Sequence, residues 1–217
     1  MGAFVTVVSG TGTGVGKTWV TVRLLEILQG RGVGAAVRKP VQSFDPTAGP
    51  PDAAILAAAA GVAEDEVCPL HRSYPLAMAP PIAARELGRE PLTLSDLLAE
   101  MRLPERGLVF IEGVGGPRSP LAEDADTCRL AEGAGAGMVV VVCPAGLGAI
   151  NAAVLSTAAF GKTPAVVFLN RYDAADAVHR TNLRWLTEKE NLEVEVEIAA
   201  LARRFAAASN LLPEAFV

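Results

Sequence analysis

A glycine-rich stretch near the amino terminus places the strongest constraint on how this chain can fold. Residues 9–20 read SGTGTGVGKTWV and lie between an apolar run and a segment of helical character. Glycines adopt backbone angles that other residues rarely reach, so the N–H groups of such a loop can converge on phosphate oxygens at the positive end of the next helix. Lys17 would reach the terminal phosphates, and the hydroxyl of Thr18 would complete the oxygen shell of a magnesium ion. The stretch therefore predicts a phosphate-binding loop.

The spacing of this loop differs from two common patterns. Position 11 is Thr, and the leading glycine, Gly10, lies one residue before its place in the usual G-x-x-x-x-G-K-T, so the loop is one residue longer. No three glycines have the G-x-G-x-x-G spacing of a dinucleotide-binding loop. NAD is therefore not expected as a cofactor.

Size, charge and cysteine content exclude several other classes of protein. The 217 residues are 51% hydrophobic, which suffices for one buried core, and we expect residues 1–217 to form a single domain. The net charge of −5, with scattered basic residues, argues against nucleic-acid binding. Cys68, Cys128 and Cys143 are too far apart to indicate a disulfide framework or a metal site. No charged leader and no membrane-length apolar run is evident, so we expect a cytoplasmic protein that binds no membrane.

Apolar runs alternate with helical segments along the chain. The runs are not interrupted by polar residues, as is typical of strands covered on both faces, and span residues 3–8, 34–37, 108–111, 137–143 and 164–169. Helical character is found at residues 17–29, 51–60, 94–101, 149–160 and 176–190. Residues 47–51 and 74–83 are rich in proline and alanine and are interpreted as loops. The alternation predicts an α/β fold, doubly wound, with a mostly parallel sheet and helices on both faces.

Charged residues follow the ends of two predicted strands. Glu112 comes directly after residues 108–111, and Lys39 follows the second apolar run. In an open α/β sheet the strand ends on the loop's side form the ligand-binding edge. We expect Glu112 to bind a metal ion there, and Lys39 to offset negative charge on a transferring phosphoryl group. Asp52 opens a predicted helix, where it is either a metal ligand or a charge that stabilises the helix dipole.

Other common catalytic sets have no signature in this chain. The two histidines, His71 and His179, are too far apart for a recognisable metal spacing and are assigned structural or surface roles. No G-x-S-x-G segment indicates a serine nucleophile.

Seven segments, in order along most of the chain, carry a family resemblance. They are GTGTGVGKT, KPVQS, an aspartate at position 52, MAPPIAA, EGVGG, GLGAIN and LNRYD. Together they resemble the dethiobiotin synthetase family, ATP-dependent enzymes with the fold of P-loop NTPases. The resemblance implies that 7,8-diaminononanoate takes up carbon dioxide as a carbamate, that ATP phosphorylates this carbamate, and that the second amine closes a ureido ring while ADP and phosphate leave.

The resemblance also implies roles for individual positions. Lys17, Lys39 and Thr13 would be catalytic, since the two lysines would offset the repulsion between the carbamate and the γ-phosphate and Thr13 would be an additional hydrogen-bond donor. Magnesium would be held by Thr18, Asp52 and Glu112. ATP would contact the glycine loop, the acidic positions, a second glycine turn and a late base-side pair, which are Gly14, Val15, Gly16, Lys17, Thr18, Trp19, Asp52, Glu112, Gly113, Val114, Gly115, Asn170 and Arg171.

By the same resemblance, the substrate site lies between two subunits. Ser43 occupies the substrate-contacting position after the Lys-Pro pair. Gly148, Ile150 and Asn151 match a segment that reaches the carboxylate end of the substrate from the partner subunit, at a helix start that favours an anion. The resemblance therefore implies a homodimer.

Two single positions and one short segment depart from the family pattern. Phe44 replaces a common glycine and narrows the loop at the substrate, and Gly14 stands where some relatives have an acidic residue. Residues 196–199 read VEIA in place of the G-x-I-P that borders the base, which leaves base selectivity open. None of the three removes a catalytic group.

Two other classes of protein share parts of the pattern. Partitioning ATPases carry an extra lysine five residues before the loop lysine, where this chain has Gly12. Amidoligases of cobalamin synthesis are similar in their synthetase half but normally carry a glutaminase domain as well, and no nucleophilic-cysteine segment is evident here. Both remain alternatives to a dethiobiotin synthetase at this point.

Overall fold

The computed structural model describes residues 2–208, and its centre is a parallel sheet. The strands in this part of the chain are β1 (Phe4–Gly10), β2 (Ala35–Arg38), β3 (Gln42–Ser43), β4 (Ser73–Tyr74), β5 (Leu108–Glu112), β6 (Pro120–Ala122), β7 (Ala125–Asp126), β8 (Met138–Pro144), β9 (Ala165–Asn170) and β10 (Glu193–Glu195). The helices are α1 (Lys17–Gln29), α2 (Asp52–Ala60), α3 (Glu64–Val67), α4 (Pro80–Glu86), α5 (Leu94–Glu100), α6 (Thr127–Gly133), α7 (Ala149–Ala158), α8 (Ala177–Glu188) and α9 (Ile198–Ala208).

The strand order of the central sheet places the glycine loop at its middle. Six strands of the described residues pair in the order β10-β9-β8-β1-β5-β2, and every pairing is parallel. Val7 of β1 pairs with Ile111 on one side and with Val139 on the other. The chain leaves β1 for one side of the sheet and later returns to fill the other side. The loop after β1 therefore lies at the point where the strand order reverses, which is where open α/β sheets bind ligands.

The sheet is buried on both faces because alternate residues of each strand point to opposite sides. In β5, Leu108 and Phe110 pack with α1, α2 and α9, whereas Val109 and Ile111 pack with α4, α5 and α6. A third cluster, around Val167, joins α7 and α8 to β8 and β9. The expectation of a doubly wound, mostly parallel α/β fold is thus confirmed. The prediction of one domain over residues 1–217 extends beyond the described residues.

One predicted loop is wrong in part. Residues 74–83 contain Tyr74 of β4 and the start of α4 at Pro80. Prolines at the first positions of a helix are favourable, because the missing N–H would have no partner inside the helix anyway. The strands β3 and β4 are only two residues long, and Gln42 of β3 lies opposite Ser73 of β4. Because the two segments are far apart in the chain, their pairing produces no local pattern in the sequence.

The helices in the described residues are all too short or too polar to cross a membrane. The longest is α1, which spans Lys17–Gln29 and packs on the sheet.

The three cysteines have free thiols and differ in burial, which predicts their reactivity. Burial raises the pKa of Cys68 to about 12 and also raises the pKa of Cys143, and both residues are fully buried. Cys128 is only partly buried. Because the thiolate is the reactive form, we expect iodoacetamide at pH 8 to modify Cys128 at least about tenfold faster than Cys68. Timed alkylation followed by peptide mass spectrometry measures this, and equal rates in the native protein would contradict the buried position of Cys68.

Candidate active site

The glycine loop joins the end of β1 to the start of α1 and forms one wall of a cleft of about 660 Å³. Gly14 and Gly16 have φ angles of 72° and 100°, in the left-handed region that favours glycine. Gly16 precedes α1, and no side chain caps this helix. The first-turn N–H groups of α1 can therefore serve an anion in the cleft.

Lys17 lies between the glycine loop and the second glycine turn. Its Nζ donates hydrogen bonds to the carbonyl oxygens of Gly12 at 2.9 Å and of Gly115 at 3.0 Å. Burial, and then the nearby charge of Lys39, lower the pKa of Lys17 below its ordinary value. Carbonyl oxygens are neutral partners for an ammonium group, so phosphate oxygens would be stronger ones.

A second lysine lies between two carboxylates at the strand ends. The Nζ of Lys39 is 2.7 Å from an oxygen of Glu112 and 3.0 Å from an oxygen of Asp52. Lys39 follows β2 and Glu112 ends β5, and these strands are paired, which brings the two side chains together. Burial alone would disfavour the ammonium form, but the two carboxylates outweigh it and raise the pKa of Lys39 above its usual value. Lys39 is therefore a fixed positive charge at neutral pH.

Asp52 occupies the first turn of α2 and faces the cleft. Thr18 Oγ1 donates to Asp52 at 2.9 Å and lies 3.0 Å from Glu112 Oε1. Burial opposes ionisation of Asp52, but Lys39 and the hydrogen bonds from Lys39 and Thr18 outweigh it, so the pKa of Asp52 lies below its ordinary value. The two sequence interpretations of Asp52 are thus compatible, because its carboxylate lies at the start of α2 and also contacts Thr18 in α1.

The oxygen atoms around Thr18 suit a magnesium ion that is also bound by phosphates. The hydroxyl of Thr18 has a single proton for two carboxylates, so these oxygens retain lone pairs for a cation. Among the described residues, no group of three or more His, Cys, Asp or Glu side chains could form an all-protein metal cage. Mg²⁺ commonly takes one or two carboxylates and completes its shell with water and phosphate oxygens. The set fits that pattern.

Most of the other nucleotide positions predicted from the sequence surround this cleft. Thr13, Val114 and Gly115 line it. Val15 is buried, and its carbonyl oxygen accepts a 2.9 Å hydrogen bond from the side-chain amide of Asn170. A Cβ atom on Gly113 would come within 2.6 Å of the Thr127 side chain, so a larger residue there would force Thr127 to move.

Two predicted positions lie at the edge of this arrangement. Trp19 is 51% exposed, and Arg171 adopts a positive φ of 58° directly after the buried Asn170. The histidines lie elsewhere, since His71 contacts Glu100 and His179 accepts a hydrogen bond from the backbone of Asp173.

Ser43 lines the cleft opposite the glycine loop. Its hydroxyl donates to the carbonyl oxygen of Met78 at 2.5 Å, which ties β3 to the segment before α4. Met78 and Pro80 also line the cleft, and the sequence interpretation assigned them no role. The MAPPIAA segment was the available signal for them. Ser119, another lining residue, accepts a hydrogen bond from the N–H of Gly116 and had no local signature.

The remaining substrate positions lie in a different place. Gly148, Ile150 and Asn151 line a separate groove of about 600 Å³ at the start of α7. Leu147, beside them, is 98% exposed. Within one chain, the structure does not bring these three residues into the cleft of the glycine loop.

Comparison with known proteins identifies the family. Residues 5–202 match a family model described as an AAA domain. The ATP-dependent dethiobiotin synthetase of Anaeromyxobacter dehalogenans is 35% identical over 94% of this chain and 95% of its own length. The corresponding protein of Aquifex aeolicus is 31% identical, over 86% of this chain and 84% of its own.

Solved structures agree on the fold. A plasmid partition protein from Borrelia burgdorferi aligns with a TM-score of 0.55 at 12% identity, over 97% of this chain and 98% of its own. A structure of a plasmid partition protein from Borrelia burgdorferi B31 bound to AMPPNP aligns with a TM-score of 0.54 at 14% identity, over 96% and 90%. Likeness at this identity concerns the fold alone, whereas the sequence matches extend over nearly the whole chain. The chain belongs to the dethiobiotin synthetase family.

Proposed function

We propose that this protein is an ATP-dependent dethiobiotin synthetase that converts 7,8-diaminononanoate and carbon dioxide into dethiobiotin, with release of ADP and phosphate. The observation that carries the proposal is the meeting of Lys17, Lys39, Thr18, Asp52 and Glu112 at one edge of the sheet. The family membership of the chain supports the same conclusion.

The reaction brings two anions together. One amine of the substrate attacks carbon dioxide and loses a proton, which gives a carbamate. A carbamate oxygen then attacks the γ-phosphorus of ATP, and the bond to the bridging oxygen breaks so that ADP leaves. The second amine attacks the carbamoyl carbon, phosphate leaves with the bonding electrons, and loss of a proton completes the ureido ring.

Two ammonium groups meet the electrostatic demand of this reaction. Lys39 keeps its charge because the carboxylates of Glu112 and Asp52 stabilise its ammonium form. It therefore stabilises developing negative charge and does not act as a base. Lys17 would exchange its two carbonyl partners for oxygens of the terminal phosphates. Thr13, on the loop side of the cleft, would add a hydroxyl donor.

Magnesium would be held by Thr18, Asp52 and Glu112, together with the phosphates of ATP. The ion would supply charge neutralisation to the phosphates. The hydroxyl of Thr18 already lies within 3.0 Å of a carboxylate oxygen of Asp52 and of Glu112, so little rearrangement of the protein is needed to gather the ligands.

The nucleotide would lie along the glycine loop and the second glycine turn. Its contacts would come from the loop and turn residues that the sequence interpretation assigned to ATP, with Asn170 and Arg171 beside the base. Asn170 is buried against the loop through its bond to Val15, which fits a residue placed where loop and base meet. Ser43 would contact the diamine, since its hydroxyl oxygen can still accept a hydrogen bond from an amine.

A homodimer would complete the substrate site. Gly148, Ile150 and Asn151 lie outside the cleft of their own chain, so they would act on the site of the partner subunit. The exposed side chains of Leu147 and Leu155 in the same groove support burial in a subunit interface. The three unpaired thiols fit the reducing cytoplasm, where we place the reaction.

The proposed function is tested by the substrate dependence of ATP hydrolysis. Purified protein with ATP, magnesium and bicarbonate is expected to release ADP only when 7,8-diaminononanoate is added, with dethiobiotin detected by mass spectrometry in equal amount. The control is the same mixture without bicarbonate. Release of ADP independent of the diamine, or stimulated by DNA or membranes, would instead favour a partitioning ATPase.

A further inference from the structure

We propose that Gln42 is a positioning residue, which holds Asp52 in the site by capping α2 from a neighbouring strand. The proposal rests on the proposed function, because Asp52 matters here as a ligand for magnesium. It adds a residue whose side chain hydrogen-bonds Ser73 and the backbone of Ala53, neither of which is assigned to the nucleotide or the cation.

The start of α2 lacks a cap of its own. The residue before the helix is Pro51, which makes no side-chain cap hydrogen bond. Helices α5, α6 and α8, in contrast, are capped locally by Thr93, Asp126 and Asp176. The N–H of Ala53, in the first turn of α2, is instead bound at 2.9 Å by the side-chain oxygen of Gln42. A residue 11 positions earlier in the chain thus does the work of an N-cap.

The side chain of Gln42 is fixed at both ends. Its oxygen accepts from Ala53, and its nitrogen donates to the hydroxyl of Ser73 at 2.9 Å, across the pairing of β3 with β4. Gln42 is only 2% exposed, so water cannot readily replace either bond. The amide therefore holds the first turn of α2 against β3.

The short segment that contains Gln42 also carries two residues of the site. Lys39 lies three residues before Gln42, and Ser43 follows it. Asp52, next to Ala53, reaches both Thr18 and Lys39 but has a side chain that is 46% exposed, so packing alone does not fix it. Loss of the Gln42 bond would free the first turn and let the carboxylate of Asp52 move away from the cleft.

The test is cation binding in the presence of a nucleotide that is not hydrolysed. Binding of Mn²⁺ to the protein with AMPPNP is followed by electron paramagnetic resonance, which needs no turnover. Because residues behind a metal ligand typically affect metal affinity 10–100-fold, we expect Gln42→Met to weaken Mn²⁺ binding about tenfold. Gln42→Glu keeps an oxygen for the N–H of Ala53 and is expected to recover most of the affinity.

Two control variants separate the possible outcomes. Gln29→Met removes another glutamine that contacts α2, through the carbonyl oxygen of Ala59 at the far end of the helix, and should leave Mn²⁺ binding unchanged. Asp52→Asn shows whether Asp52 binds the cation at all. If Asp52→Asn weakens binding and Gln42→Met does not, Gln42 has no positioning role. If Asp52→Asn has no effect, the magnesium role of Asp52 is wrong, and the role of Gln42 is lost with it.

A measurement on the unmodified protein keeps the proposal testable should Gln42→Met not fold. The N–H of Ala53 is expected to exchange slowly with deuterium, as an amide with a buried acceptor does. Rapid exchange of this amide in the folded protein would overturn the proposal.

Discussion

Replacing Lys39 by methionine is expected to lower turnover by about 10²–10³-fold while ATP still binds, the range typical for removal of one group that stabilises transition-state charge. Methionine matches the length of the lysine stem but cannot carry the charge. Steady-state kinetics with the diamine and a separate measurement of nucleotide affinity distinguish the two effects. Full turnover in this variant would remove Lys39 from the mechanism.

The same substitution should also destabilise the protein. Glu112 is 0% exposed, and the loss of Lys39 would leave its buried carboxylate with hydrogen bonds from the hydroxyls of Thr18 and Thr21 in place of an ion pair. Breaking a buried ion pair by removing one partner costs about 3–5 kcal/mol. We therefore expect the midpoint of thermal unfolding to fall.

A double variant tests the cause of the lost stability. Adding Glu112→Gln to Lys39→Met removes the uncompensated charge, so the thermal midpoint should rise again, while turnover stays low because an expected magnesium ligand is lost as well. The exposed Lys162 serves as the matched lysine, and Lys162→Met should change neither the midpoint nor turnover. A midpoint that stays low in the double variant would show that the buried charge of Glu112 is not what destabilises Lys39→Met.

The parts of the fold that could be predicted are those with a local physical cause. Apolar runs without polar interruption reflect strands buried on both sides, and residues 108–111 indeed form most of β5, Leu108–Glu112. The glycine loop likewise needs only its own backbone freedom and the helix that follows. The predicted helix at residues 51–60 matches α2, Asp52–Ala60, within one residue.

The contacts that could not be predicted join residues far apart in the chain. Asp52 contacts Thr18, which lies 34 positions earlier in the chain, so the contact leaves no local pattern. The local sequence therefore allowed Asp52 to be either a metal ligand or a charge that stabilises the helix dipole. The proposed role of Gln42 cannot be read from the sequence for the same reason. Its side-chain oxygen accepts from the N–H of Ala53, which lies 11 positions later in α2. Residues 74–83 read as a loop in the sequence because α4, which begins inside this range at Pro80, is short and starts with two prolines.

The groove at Gly148 contains predicted substrate residues that the fold of one chain does not bring to the cleft. Family resemblance assigns Gly148, Ile150 and Asn151 to the substrate, yet they line a surface apart from the glycine loop. A site shared between subunits reconciles the two observations. The residues expected to bind the nucleotide are brought together by strand order, whereas those expected to bind the substrate would be brought together by association of two subunits.

Gly16→Ala is expected to weaken ATP binding by about 100-fold, because glycine is needed there for two independent reasons. Gly16 has a φ of 100°, which costs a residue with a side chain about 1–2 kcal/mol. A Cβ atom at this position would also overlap with the side-chain amide of Asn170, which is held in place by the carbonyl oxygen of Val15. The loop could relieve both only by leaving the conformation that gathers its N–H groups, and about 2.7 kcal/mol corresponds to a factor of 100 in affinity.

Two other glycines of the loop test this explanation, because Gly14 has the positive φ without the clash and Gly12 has neither. Gly14 has a φ of 72° but open space around its Cβ position, so Gly14→Ala should carry only the backbone strain and weaken ATP binding about tenfold. Gly12 has open space and no positive φ, so Gly12→Ala should have an effect of less than about threefold. Calorimetric titration with AMPPNP measures all three. An equal loss in all of them would mean that the glycines serve close approach of the phosphates, and that backbone strain and Asn170 are not what makes Gly16 indispensable.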